Sequence, residues 1–282
     1  MTVQVRFYTD PACPWSWAAE PAIRRTSWEF EGELEFVWVM GGLARSYEQA
    51  NLLEVVSQWL EDADAGGMPS DPRIWTQNAL DSTYPACQAV EAAKEQGWEA
   101  AYRYLRTLRE GIMCERRKLD HAESLIAAAG RAGIDRQRFE LDLRSHAITE
   151  AFGADLEEVR DPPEEARHAD AIHRSSKGRE RISFPSAVLI GEDGGRHGVW
   201  GSDSVDPAKL RDAALAAGAR QVNEGALEPL DAIGRFGRCA TRELEVLADR
   251  PSPVMQAELW ELARDWKLKP VPALIGTLWE RA

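Results

Sequence analysis

The residues of this chain with most capacity for nucleophilic, redox or metal chemistry are four cysteines and five histidines. Spacing separates them. His121, His146, His168, His173 and His197 form no metal-ligand motif, and His168 and His173, in a charged stretch, read as surface residues. Cys13, Cys87, Cys114 and Cys239 are too scattered for a metal cluster or a disulfide framework, so each reads by default as a small buried hydrophobe. Cys13 differs in its context. It stands between an alternating strand and Pro14, a residue suited to the first position of a helix. The first amides of a helix have no internal partner and the helix dipole adds partial positive charge there. Both favour thiolate, the species that attacks disulfides and electrophiles, and lower a cysteine pKa from about 8.5 toward neutrality. The alternative is a cysteine that simply packs beneath Trp15 or Trp17, and the residues alone weigh the two evenly. Asp10 either influences Cys13 or caps the turn before Pro11. Glu157-Glu158 and Glu164-Glu165 read as solvated faces rather than an acid–base pair.

The elements that must position Cys13 are legible around it. Val3, Val5 and Phe7 alternate as in a strand; a helix is predicted from about Pro14 to Phe30, closed by Gly32; Leu34 to Met40 is a second strand, apolar on nearly every position. This is a βαβ unit. From Glu48 to about Lys177 the chain reads as mostly helical, most clearly in the stripe Trp98, Ala101, Tyr102, Leu105, Leu108 and Ile112. Arg136 to Phe152 is predicted as one helix. Strand character returns at Ala187-Val188-Leu189-Ile190, turns at Glu192 to Gly195, and returns along Arg196 to Trp200 before a helix from Asp203 to Ala217. Gln221 to Ala282 reads as helical again.

The formal net charge is -13, with no dense Lys/Arg run, so a polyphosphate would be repelled and nucleic acid is not an expected partner. No stretch approaches the roughly 20 apolar residues that span a bilayer, and the N-terminus lacks a signal-peptide pattern. A cytoplasmic protein with reduced thiols is the expectation.

The segment Phe7 to Trp17 resembles the active-site region of DsbA-like thioredoxin-fold oxidoreductases, which typically reads Asp-Pro-x-Cys-Pro-Trp-Cys-Trp or Tyr. Gly41-Gly42-Leu43, Ser82 to Ala86 and Phe184-Pro185-Ser186 resemble the same group, over about Val3 to Ala217. The resemblance implies a thioredoxin-like α/β fold with a large helical insertion acting as a lid and a helical C-terminal extension. Residues 1–47 and 178–220 would form the thioredoxin-like domain, 48–177 the insertion and 221–282 the extension. It implies Cys13 as nucleophile and Ser16 as its hydrogen-bond partner. Pro14, Trp15, Phe184 and Pro185 would be substrate-binding residues, Pro185 being a cis-proline that turns the Phe184 backbone toward the groove. Trp15, Trp17 and Trp38 are expected to build an apolar groove, and Trp260, Trp266 and Trp279 to seat the tail on the body.

The departure from the pattern is informative: Ser16 stands where the family has its second cysteine. A dithiol resolves its mixed disulfide internally, and Cys13 cannot do so through Ser16. Three outcomes follow. Glutathione or another low-molecular-weight thiol resolves the adduct, as in monothiol glutaredoxins; or Cys13 acts on a glutathione conjugate, resembling kappa-class transferases and chromene-carboxylate isomerases; or the groove is a catalytically silent adaptor for protein partners. A thiol cosubstrate or a thiol/disulfide protein is the expected partner, with no permanently bound cofactor and no metal. Resolution by Cys87 or Cys114 from the lid has no support in the spacing.

Overall fold

The computed structural model describes residues 2–48, 50–175 and 178–282. The predicted lid boundary at Lys177 lies outside them. The chain opens with β1 (Val3–Thr9), α1 (Pro14–Ala18), α2 (Glu20–Glu29) and β2 (Leu34–Met40). The single helix expected from Pro14 to Phe30 is thus broken at Ala19. Pro21 has no amide to give the Trp17 carbonyl, and its ring would crowd that carbonyl in a continuous helix. Eight helices follow: α3 (Leu52–Gly66), α4 (Ile74–Gln77), α5 (Tyr84–Lys94), α6 (Trp98–Met113), α7 (Ala122–Arg131), α8 (Arg136–Leu143), α9 (His146–Arg160) and α10 (Glu164–His168). The helix predicted from Arg136 to Phe152 is two, because the Ser145 hydroxyl accepts from the Ala147 amide at 3.3 Å and starts a new one.

The chain returns through a short antiparallel hairpin, β3 (Ile172–Arg174) and β4 (Glu180–Ile182), which the helical reading of this stretch lacks. Strands of three residues carry no measurable period. Next come β5 (Ser186–Ile190), β6 (Arg196–Val199) and α11 (Pro207–Ala216). One sheet holds the order β2-β1-β5-β6, with β1 parallel to β2 and antiparallel to β5. This is the thioredoxin arrangement with the helical insertion between its two halves. No helix among the described residues is long and apolar enough to cross a membrane.

The tail contains α12 (Pro229–Phe236), β7 (Cys239–Ala240), α13 (Thr241–Ala248), α14 (Ser252–Arg264), β8 (Leu268–Pro272) and β9 (Thr277–Arg281). Its helices were expected; its three-stranded sheet was not. Pro270 and Pro272 hide the strand β8, which tolerates them because it lies on the sheet edge. The tail has its own core, around Ile233, Leu244, Leu247, Met255, Leu259 and Trp279. Only Trp279 of the three tail tryptophans is buried. Trp260 and Trp266 are 56% and 87% exposed, so they do not seat the tail on the body.

A buried ionic network does that instead. Glu20 opens α2, and its carboxylate meets Arg109 and Arg106 of α6, with Tyr102 Oη donating to it at 2.7 Å. Glu243 of α13 accepts from Arg106 at 2.7 Å and lies 3.1 Å from Arg24 of α2. Both carboxylates and Arg109 are fully buried. Arg106 also covers the Trp17 ring, 4.3 Å from its centroid. Breaking a buried pair by removing one partner strands a charge away from water, typically at about 3–5 kcal/mol. Glu243→Ala is therefore expected to lower unfolding free energy by about that amount in urea titration.

Desolvation alone would raise the Glu20 pKa, but Arg109, Arg106 and Arg24 hold it at about 2, against an ordinary 4.5. The native state thus keeps this carboxylate charged where the unfolded chain has begun to bind its proton. Its contribution, about 3 kcal/mol by linkage, is complete above pH 4.5 and lost as pH falls toward 2. Stability measured across that window should fall steeply in the native protein and less steeply in Glu20→Gln.

Candidate active site

Cys13 occupies the cap position before α1, with extended backbone, and its Sγ accepts from the Ser16 amide at 3.4 Å. The sulfur is recessed: Cys13 is 6% exposed. It lies at the base of a groove of about 480 Å³. Pro14 and Trp15 form one side, with Tyr47 and the α3 residues Val55 and Trp59 along the lid. His173, Arg181 and Phe184 face them. The Phe184–Pro185 peptide is cis, and Ser204 Oγ donates to the Pro185 carbonyl at 2.9 Å. Among the described residues the Phe184 amide and carbonyl take no protein hydrogen bond.

The structure therefore brings Cys13, Pro14, Trp15 and Phe184 to one groove. Ser16 lies beneath it, fully buried, and its hydroxyl has no hydrogen-bond partner among the described residues; its amide, rather than its hydroxyl, makes the bond to the sulfur. Trp17 and Trp38 do not line the groove. Trp17 is buried and donates to the Pro69 carbonyl at 2.8 Å, and Trp38 is stacked on Tyr102 in the core. Cys87 and Cys114 are buried free thiols; Cys114 Sγ lies 3.4 Å from the Pro69 carbonyl oxygen.

Asp10 is fully buried and acts as a junction. Its carboxylate accepts from the amides of Ala12 (2.8 Å) and Leu43 (2.6 Å), from Thr83 Oγ1 (2.9 Å) and from Cys87 Sγ (3.3 Å). One side chain thus ties the loop before α1 to the loop after β2 and to the start of α5. Arg181, on β4, is its electrostatic counterpart. It lies 4.2 Å over the Phe184 ring, donates to the Ile182 carbonyl at 2.8 Å, and forms no ion pair among the described residues.

These neighbours overturn the expectation of an acidified thiol. Burial pushes the Cys13 pKa above the ordinary 9.0; Ser16 beside the sulfur draws it down, Asp10 pushes it up and Arg181 draws it down. The helix end is weaker than the sequence implied, since α1 is only five residues long. Sequence reasoning also missed Tyr47, Trp59, His173 and Arg181. The last two sit on the three-residue strands of a hairpin that leaves no pattern, so no local signal marked them.

Gly41 shapes the site from behind. A Cβ there would fall 1.8 Å from the Phe184 ring, so no side chain fits without moving Phe184. Asp81, Asp120 and His121 also converge, with Lys118 Nζ 2.7 Å from Asp81 as their cation.

A family profile described as Thioredoxin matches residues 7–161. ClpXP adapter protein SpxH of Halalkalibacterium halodurans is 29% identical over 167 residues, covering 56% of this chain and 55% of that protein. The protein of the same name from Shouchella clausii is 22% identical over 285 residues, covering 99% of this chain and 88% of that one. The chain spans about half the length of most of the curated relatives it matches. Among solved structures, the cytosolic disulfide reductase DsbM from Pseudomonas aeruginosa superposes with a TM-score of 0.57 at 17% identity, over 76% of this chain and 97% of that one. DsbM solved with GSH gives 0.53 at 15% identity, over 76% and 98%. At this identity the likeness is one of fold.

Two outcomes are expected from this geometry. Alkylation of Cys13 by iodoacetamide, followed by mass spectrometry across pH, should be half-maximal above pH 9.0, shifted down in Asp10→Asn and up in Arg181→Gln. A half-point below pH 9.0, the ordinary value, contradicts this account. Gly41→Ala should displace Phe184 and destabilise the fold by about 1–3 kcal/mol, as overpacking does, read by thermal unfolding.

Proposed function

The chain belongs to the thioredoxin family, and on that premise we propose that it is of the DsbA-like form and performs thiol–disulfide exchange through one cysteine. The observation that carries the reading is the placement of Cys13 Sγ at the base of a groove, against Phe184, with Ser16 in place of a second thiol. In the first step the Cys13 thiolate attacks one sulfur of a disulfide; that S–S bond breaks, a mixed disulfide forms, and the other half leaves as thiolate. In the second, a low-molecular-weight thiolate such as that of glutathione attacks the sulfur bound to Cys13. The mixed disulfide breaks and Cys13 is returned as thiolate. Electrons balance without a further oxidant.

The residues divide the work. The Ser16 amide holds the sulfur and stabilises its charged form, as Arg181 does through space. Phe184 offers a free amide and carbonyl to an extended substrate, while Pro14, Trp15 and Pro185 flank the approach. Cys87 is not the resolving thiol in this reading, since it is buried and bonded to Asp10. A solvent-reduced compartment, the cytoplasm, suits four free cysteines and supplies the small thiol.

A second reading has its own support. The curated relatives are named ClpXP adapters, and a recessed thiol with a raised pKa is a poor spontaneous nucleophile. In that reading the same groove receives a protein segment and Cys13 is a contact.

Incubation with glutathione disulfide and intact-mass analysis separates the two. Exchange predicts one glutathione adduct, mapped to Cys13, removed by reduced glutathione and absent in Cys13→Ser. Ser16→Cys should add an internal disulfide between Cys13 and the introduced thiol, and with it the ability to reduce insulin. No adduct on Cys13, together with partner capture undiminished in Cys13→Ser, sinks the exchange reading in favour of the adaptor.

A further inference from the structure

We propose that the groove is built for a small thiol that carries carboxylates, its sulfur at Cys13 and its acidic end in an arginine-lined annexe. The inference rests on the exchange reading above and names the class of co-thiol it uses. The annexe is a second cavity, of about 360 Å³, that shares Leu43, His173 and Arg181 with the groove. Each volume falls within the range of small-molecule sites, about 300–1,000 Å³.

Four arginines line the annexe, from three parts of the chain: Arg45 after β2, Arg160 at the end of α9, and Arg179 and Arg181 from the hairpin. None of them makes an ion pair with a described residue, and Arg160 donates only to Tyr84 Oη, at 2.8 Å. The chain carries 47 acidic residues against 34 Lys and Arg, and most of its arginines find carboxylates, exposed Arg144 and Arg220 among them. Arg103, Arg136, Arg196 and Arg281 also lack one among the described residues, but they are scattered, whereas the four of the annexe share one cavity. The annexe has one carboxylate of its own, Glu180, which is already held by Arg174 at 2.8 Å and by Arg167. The result is an excess of cations in the annexe of an anionic protein. It adjoins the groove through Leu43, His173 and Arg181, while the groove's far wall carries Glu54 and Asp62 of α3.

Guanidinium groups of this kind recognise carboxylates through paired N–H donors. Arg45, Arg160 and Arg179 are exposed, so their heads are free to adjust to a ligand, whereas Arg181 is fixed over Phe184 between the two cavities. A small occupant is what the two cavity volumes accommodate, with its sulfur at Cys13 in the groove that Trp15 and Phe184 also line. An acidic protein segment would offer the same carboxylate chemistry, and the experiment includes it as a competitor.

The test measures formation of the mixed disulfide at Cys13 by intact mass, for three symmetric disulfides: glutathione disulfide (anionic), bis(2-hydroxyethyl) disulfide (neutral) and cystamine (cationic). Each rate is divided by that of a free cysteine derivative with the same disulfide, which removes differences in leaving group. The expected order is anionic, neutral, cationic, with about tenfold between the extremes at low salt and a smaller spread at high salt. The double variant Arg160→Glu with Arg179→Glu should invert the order, an outcome that misfolding cannot mimic. Equal normalised rates for the three overturn the inference while leaving single-cysteine exchange intact. Failure of all three to label Cys13, with iodoacetamide still labelling it, overturns the exchange reading and the inference together. A glutamate-flanked cysteine peptide disulfide that outpaces glutathione disulfide overturns the small-thiol assignment.

Discussion

The charges sealed between α2, α6 and α13 are the constraint on which the rest of the molecule depends. Glu20 and Glu243 are inaccessible to water, and each is held by arginines from other parts of the chain. Two carboxylates moved out of water are unfavourable alone, and their attraction to buried guanidinium groups offsets this only when geometry and hydrogen bonding are nearly complete. Arg106 meets that demand by bonding Glu243 twice, Glu110 at 2.7 Å and Glu20. The consequence is positional. A βαβ unit, a lid helix and a tail helix can approach in only one register, and Arg109 extends the network to Thr9, the residue before Asp10. The placement of the loop carrying Cys13 follows from that register rather than from the loop itself.

At the sulfur the same physics has the opposite sign. Asp10 is buried without a cation among the described residues and is satisfied by neutral donors instead. It organises three segments around the groove, and it also opposes a second negative charge beside it. Arg181 and the Ser16 amide pull the other way but do not outweigh burial. The balance raises the Cys13 pKa and so disfavours the thiolate. Structural order and nucleophilicity compete at this site: burial is the largest influence on the sulfur, and Asp10 adds to it.

How far this was legible in the sequence depends on the length and regularity of each element. β1, β2 and α6 announce themselves by period, and Cys13-Pro14 by its position between a strand and a helix. The buried ionic network was invisible. Glu20, Arg106 and Glu243 sit on helices whose charged positions look like solvated faces, and only the tertiary packing reveals that they meet. The hairpin carrying Arg181 was invisible for a different reason, being too short to show alternation. The helix-dipole argument was correct in direction and wrong in outcome, because one sequence window contains neither the burial of the sulfur nor the break at Pro21.

The loss of a second cysteine changes what the groove has to do. In a dithiol site the resolving sulfur is three residues away, at an effective concentration no free thiol in solution can match. With Ser16 in that place, a mixed disulfide formed in the proposed exchange would persist until an outside thiol arrived in line with the bond to Cys13. In that proposal the outside thiol would have to be concentrated and oriented by binding, through recognition elements that a dithiol enzyme could do without. Neither the apolar surfaces of Trp15, Trp59 and Phe184 nor the free Phe184 backbone discriminates strongly among small thiols. The arginines beside them are the groups proposed to do so, through charge. On the proposed exchange reading, a single thiol and a cationic annexe would be parts of one arrangement, with binding energy at Arg160 and Arg179 standing in for the proximity that a second cysteine would have supplied.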